Sequence, residues 1–159
     1  VSGRGTSFTV YLPHVEVTPP AKVRVSRPPA EPVAFSPRKV LVVDDEDGVR
    51  ESLARLLTSR GHEVQTAASG QEGIDCLEAR ADEIDLAVLD MKMPGLDGLE
   101  TFTAMRKLQP NLRAVIISGY SADEVGELPE GLIGYFQKPF PTEQFLAIVG
   151  DATKSNGAE

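Results

Sequence analysis

Five side chains of this 159-residue sequence stand where short apolar runs end and could do chemistry together: Asp44, Asp45, Asp90, Ser118 and Lys138. Singly, each has an ordinary reading. An acidic pair after a strand serves as a solvated turn or a helix cap, and a lone Asp, Ser or Lys at a strand end needs no function. Their convergence is harder to explain away. Two carboxylates about 4 Å apart repel by roughly 4 kcal/mol at an effective dielectric near 20. Three of them with only Lys138 in compensation would be a liability in an ordinary core, so such a cluster requires protonation or a cation. Oxygen ligands from few residues favour Mg²⁺, which keeps several waters and shares its remaining positions with phosphate. An ionised carboxylate can then attack phosphorus, while an ammonium and a hydroxyl grip the phosphoryl oxygens.

Alternating strands and helices are what must bring these residues to one edge. Residues 39–43, 62–67, 84–89, 114–117 and 132–136 read as strands, and 86–89 is apolar throughout, as for a strand buried on both faces. Residues 46–59 place Val49, Leu53, Leu56 and Leu57 at helical spacing and stop before Gly61. Residues 69–79 read as a helix with Ser69 as N-cap and Ile74, Cys76 and Leu77 inward. Residues 98–109 put Leu99, Phe102, Met105 and Leu108 on one side before Pro110, and 142–150 start from Thr142 as N-cap with Phe145, Leu146 and Val149 inward. A further crossover helix belongs in 121–131, where Gly126, Pro129 and Gly131 limit it to one or two turns. This alternation predicts an α/β fold with a parallel sheet covered on both faces. Functional residues of such folds gather beyond the carboxyl ends of the strands.

Composition bounds the rest. A hydrophobic fraction of 41% suits a globular core that needs no staples, and one cysteine, Cys76, permits no internal disulfide. A reducing, cytoplasmic compartment is expected. No apolar run reaches the roughly 18 residues of a membrane span, so no direct membrane contact by this chain is expected. The chain begins at Val, as a fragment would. Residues 1–38 carry five Arg/Lys against two Asp/Glu, or +3; the remaining eleven and twenty-two leave −11 on 39–159. An acidic globular part without a basic stripe argues against nucleic acid as a partner. Six prolines between residues 14 and 37 mark an extended linker. The expected organisation is a strand-bearing segment at 1–13, the linker at 14–37, a domain at 38–152 and a disordered tail at 153–159.

The segments VLVVDDE (40–46), LAVLDMKMPGLDG (86–98), AVIISGY (114–120) and YFQKPF (135–140) together resemble the response-regulator receiver family over some 110 residues. The resemblance implies a flavodoxin-like, doubly wound five-stranded sheet of order 2-1-3-4-5, here with a shortened fourth helix. It implies that Asp90 is the phosphoacceptor, taking phosphate from the phosphohistidine of its own kinase or of a phosphotransfer protein. Asp45, Asp90 and the backbone carbonyl of Lys92 would ligate Mg²⁺, and Asp44 would act through a metal-bound water. Lys138 would pair with Asp90 or its phosphate, next to a cis Lys138–Pro139 bond. Ser118 would hydrogen-bond a phosphoryl oxygen. Tyr135 would be the switch aromatic, against the plainer reading of a strand aromatic, and Lys92 and Tyr120 would line the entrance.

A second resemblance lies at residues 3–13, GRGTSFTVYLP, which are similar to the closing segment of a histidine-kinase ATP-binding domain, with Gly3 and Gly5 at the nucleotide turn. The rest of an ATP site is missing, so no ATP binding is expected. Kinase end, linker and receiver together describe part of a hybrid sensor histidine kinase. The pair His62–Glu63 superficially matches a phospho-accepting His-Glu, but it opens a short strand after Gly61 and is set aside.

The expected function is therefore phosphorelay signalling by conformational switching, with no enzymatic turnover beyond accepting phosphate from a donor and slowly losing it. Two alternatives stand beside it. One is a Mg²⁺-dependent phosphohydrolase with an Asp nucleophile, a class that wants a second acid two residues on, where this chain has Lys92. The other is a docking module that takes no phosphate.

Overall fold

The computed structural model describes residues 37–80, 83–120 and 129–151. The expectations for 1–13, for 14–36, for most of the crossover at 121–131 and for the tail at 153–159 lie outside the described residues.

Five strands, β1 (Lys39–Val43), β2 (Glu63–Ala67), β3 (Leu86–Asp90), β4 (Arg113–Ser118) and β5 (Leu132–Gln137), form one parallel sheet of order β2-β1-β3-β4-β5. Four helices are present among the described residues: α1 (Asp47–Ser59), α2 (Gly70–Ala79), α3 (Gly98–Leu108) and α4 (Thr142–Asp151). This is the flavodoxin-like order expected. The period of two along the strands divides the core. Leu41, Val43, Ala87, Leu89, Ala114 and Ile116 pack with Leu77 of α2 and Phe102 and Met105 of α3. Val40, Val42, Leu86, Val88, Val115 and Ile117 pack with Leu53 and Leu57 of α1 and Phe145 and Val149 of α4. Each fully buried Leu, Ile or Phe contributes about 1.5–3 kcal/mol of transfer free energy, so both faces hold the sheet rigidly beneath the loops.

Two local expectations need correction. Leu108 is 41% exposed. At about 100° per residue it lies roughly 180° around α3 from Leu99 and 120° from Phe102, off the inward stripe. Thr142 is the first helical residue of α4 rather than its cap, and the Pro141 carbonyl receives the amides of Gln144 and Phe145. Ser69 caps α2 as expected, accepting from the Glu72 amide at 3.2 Å.

The carboxyl ends of the strands set the positions of the chemically interesting residues. β3 runs one residue beyond the predicted 89 and β4 one beyond 117, so Asp90 and Ser118 are the last residues of their strands. Their main chains are fixed by the ladder, Asp90 opposite Ile117 and Ser118 opposite Gln137.

Candidate functional site

β1 and β3 are neighbours at the point where chain order reverses, so a crevice opens beyond their carboxyl ends. Asp44 follows β1, Asp90 ends β3, Ser118 ends β4, and Lys138 follows β5. Asp44, Asp90 and Ser118 are all buried. The Lys138 ammonium reaches across the crevice to Asp90 Oδ1 at 2.6 Å and Asp44 Oδ2 at 3.4 Å. Its amide donates to the Ser118 carbonyl at 2.6 Å, and the Lys138–Pro139 bond is cis, as expected.

The remaining oxygens are held by main chain. Asp90 Oδ2 accepts from the Lys92 amide at 2.8 Å, and Asp44 Oδ1 accepts from the Glu46 amide at 2.9 Å. The Ser118 hydroxyl oxygen accepts from the Tyr120 amide at 3.0 Å, which leaves its proton free to donate into the crevice. Asp45 is exposed, and its carboxylate makes no hydrogen bond or ion pair among the described residues.

The loop after Asp90 explains the Met-Pro-Gly-x-Asp-Gly spacing. Gly95 has φ +85°, a turn conformation that other residues rarely adopt. Asp97 caps α3 in a reciprocal capping box with Glu100. Gly98 lies so close to β3 that a Cβ there would meet the Asp90 carbonyl at 2.5 Å. Its amide donates to the Met91 carbonyl at 2.9 Å. The start of α3 is thus pressed against β3, and only glycine permits the approach.

At the mouth, Lys92 Nζ donates to the Tyr120 hydroxyl at 3.0 Å and lies 5.2 Å from its ring centre. Tyr135 is half-buried against the α2–α3 face of the core, and its hydroxyl donates to the Tyr120 carbonyl at 3.0 Å. The residue expected as the switch therefore touches the loop that follows Ser118. His62, by contrast, is buried at the other end of the sheet, where its Nδ1 accepts from the Arg38 amide at 3.3 Å.

The electrostatics suit a cation. Burial pushes the Asp44 carboxyl above its ordinary range, against the Glu46 amide and the Lys138 ammonium, which favour its charged form. Burial also disfavours the Lys138 ammonium, yet its hydrogen bond to Asp90 and the two carboxylate charges outweigh this and raise its pKa. One ammonium shared by two buried carboxylates leaves a charge of −1, and Asp45, next in the chain to Asp44, adds another negative charge at an exposed position. No group of three His, Cys, Asp or Glu side chains is drawn together as a metal cage among the described residues. The expected ligand set does not need one, since it uses two carboxylates and a main-chain carbonyl with water completing the shell. Asp45, Asp90 and the Lys92 carbonyl fit Mg²⁺ in donor type and in charge.

Sequence reasoning missed Arg50. It donates to the Asp44 carbonyl at 2.7 Å and pairs with the Asp47 carboxylate. Its place in the first turn of a helix after an acidic run was the only available signal.

The chain matches the model of the response regulator receiver domain over residues 40–150. It is 34% identical to the sensor kinase CckA of Brucella abortus, over 92% of this chain and 16% of that protein. The crystal structure of the receiver domain of the hybrid histidine kinase CckA superposes with a TM-score of 0.62 at 34% identity, covering 72% of this chain and 97% of that one. That of the response regulator TrrA of Thermotoga maritima, in complex with Mg²⁺–BeF, gives a TM-score of 0.64 at 30% identity, covering 72% and 98%. The chain spans a sixth of CckA and less than half of the response regulators GlrR and MprA that it also matches.

Proposed function

The chain belongs to the response regulator receiver family, a component of two-component phosphorelays, and on that premise we propose that it accepts a phosphoryl group on Asp90 with Mg²⁺ bound beside it. The observation that carries this reading is the Lys138 ammonium shared between the buried Asp90 and Asp44. It sets the nucleophile's oxygen against a cation in a crevice whose net charge still calls for another.

In the step itself an Asp90 carboxylate oxygen forms a bond to phosphorus as the P–N bond of a phosphohistidine breaks. The imidazole nitrogen leaves with the electron pair, and an acyl phosphate results. Bound Mg²⁺ would neutralise phosphoryl oxygens and orient them, held by Asp45, Asp90 and the Lys92 carbonyl, with Asp44 acting through water. The Lys92 amide orients the acceptor carboxylate. Lys138 passes from the carboxylate to a phosphoryl oxygen, and the Ser118 hydroxyl, its oxygen anchored by the Tyr120 amide, donates to another. Phosphorylation adds about −1.5 to −2 charge units. Drawing Ser118 inward pulls on Tyr120 and so on Tyr135, biasing two pre-existing conformations.

The wider context is a hybrid sensor kinase, with the output being control of that kinase or relay to a phosphotransfer protein. Support comes from the CckA alignment. It covers 92% of the chain, about 146 residues, while residues 38–159 number 122, so at least 24 aligned residues precede residue 38. No helix among the described residues is long and apolar enough to cross a membrane.

Incubation with acetyl phosphate and Mg²⁺, followed by intact-mass measurement, tests the reading. One phosphoryl group is expected on the chain and none on Asp90→Asn. Absence of a Mg²⁺-dependent adduct on the unmodified chain would defeat it in favour of the docking module, and turnover of a small phosphate ester would favour the phosphohydrolase.

A further inference from the structure

Four consecutive acids, Asp44, Asp45, Glu46 and Asp47, form the turn from β1 into α1, and one cation spans it. Arg50 Nη1 donates to the Asp44 carbonyl at 2.7 Å, and Arg50 Nη2 pairs with the Asp47 carboxylate. The Arg50 side chain is only 16% exposed, although Asp47 is 85% exposed. The guanidinium is therefore withdrawn from solvent and held by both ends of the turn. Between those ends lie Asp45 and Glu46, exposed and with carboxylates unpaired among the described residues. Glu46 occupies the N-cap position of α1 without a side-chain hydrogen bond, so the cap itself does not fasten the turn.

Resting on the receiver reading above, we propose that Arg50 is a positioning residue for the metal site: by clamping Asp44 and Asp47 it holds the turn so that Asp45 is pre-set for Mg²⁺. A planar guanidinium holds a carbonyl and a carboxylate on two separate nitrogens of one rigid fork, whereas an ammonium offers its donors from a single nitrogen on a flexible stem and fixes no such spacing. Two opposed effects are at issue. As a bare positive charge Arg50 would repel the incoming ion and weaken its binding. As a brace it removes the freedom that four mutually repelling acids would otherwise have, and strengthens binding by preorganisation. The guanidinium is spent on the carbonyl and on Asp47, which blunts its charge, so the brace should dominate.

The sign of the effect decides the matter. Mg²⁺ is titrated calorimetrically into the full chain without phosphodonor, for the unmodified protein, Arg50→Lys and Arg50→Gln, with thermal unfolding measured alongside. Both variants should bind Mg²⁺ about tenfold more weakly, the lower end of the cost of losing an outer-shell partner. Lysine should not rescue, although it preserves net charge and helix propensity. Raising Mg²⁺ to saturation should return phosphorylation by acetyl phosphate to the unmodified rate, which a general loss of structure would not allow. Unchanged or tighter Mg²⁺ binding by Arg50→Lys overturns the brace while leaving the receiver reading intact. Failure of the unmodified chain to bind Mg²⁺ overturns both.

Discussion

The two ends of the parallel sheet carry charges of the same kinds and use them in opposite ways. At the amino ends Arg38 pairs with Asp85 at 3.5 Å and Lys39 with Glu83 at 2.9 Å, one anion to each cation. Asp85 also accepts from the Lys39 amide at 2.9 Å; the Lys39, Glu83 and Asp85 side chains stay 38–49% exposed, and only Arg38, at 18%, is withdrawn. At the carboxyl ends one part-buried ammonium serves two buried carboxylates, and the exposed carboxylate of Asp45, next in the chain to Asp44, has no hydrogen bond or ion pair among the described residues. Charges balanced one to one on carboxylates that keep contact with solvent staple strands and ask nothing of a ligand. Unbalanced and buried ones store an electrostatic demand that an ion or a phosphoryl group can meet.

Four substitutions test that contrast, in falling order of effect. Lys138→Met removes the cation shared by the buried carboxylates and should slow phosphorylation of Asp90 on the order of 10²-fold, the usual cost of one donor to a charged transition state. Rates with acetyl phosphate at saturating Mg²⁺ measure it, and an unchanged rate would mean the shared ammonium is merely structural.

Asp44→Asn keeps an acceptor for the Glu46 amide and discards a buried charge. Without Mg²⁺ it should stabilise the fold by about 1 kcal/mol, because burying that carboxylate is costly. With Mg²⁺ the unmodified protein should gain stability and the variant less. Thermal unfolding with and without the ion reads both, and a destabilised ion-free variant contradicts the account.

At the opposite edge His62 is the group to perturb. Burial, then the Arg38 charge, lowers its pKa below the ordinary 6.5. The unfolded chain therefore binds the proton more readily than the folded one. This contribution is fully favourable above pH 6.5 and is lost as pH falls toward the depressed folded value. His62→Gln should flatten this acid slope, a difference of about 2–4 °C in melting temperature below pH 6, with phosphorylation unaffected. A pH profile unchanged by the substitution would show that the amino edge does not sense pH through this residue.

Glu83→Gln should do least. It breaks one exposed pair, and neither melting temperature nor phosphorylation should move measurably. A clear loss of phosphorylation there would erase the distinction between the two edges.

Local pattern accounts for how much of the fold and site is legible in the sequence. The apolar runs 39–43 and 86–89 declare buried strands, because side chains alternate faces and both faces must be dry. Ser69 declares a cap, since capping depends on its own neighbourhood, whereas the turn at Gly95 and the close approach at Gly98 emerge only with the folded loop. Leu108 falls off the inward stripe because helical drift over the nine residues from Leu99 carries it half a turn around α3. Thr142 lies inside α4 instead of capping it because the Pro141 carbonyl, a group every residue has, receives the first free amides.

By itself, then, the sequence determined the alternating elements, the acids and the lysine at strand ends, and the family whose motifs they spell. Only the tertiary structure decided that one ammonium is shared by carboxylates 94 and 48 residues away, and that Arg50 grips the turn bearing Asp45. The reason is physical. Charge balance at a site depends on distances across strands, and main-chain acceptors look alike at every position until folding chooses which one a side chain can reach.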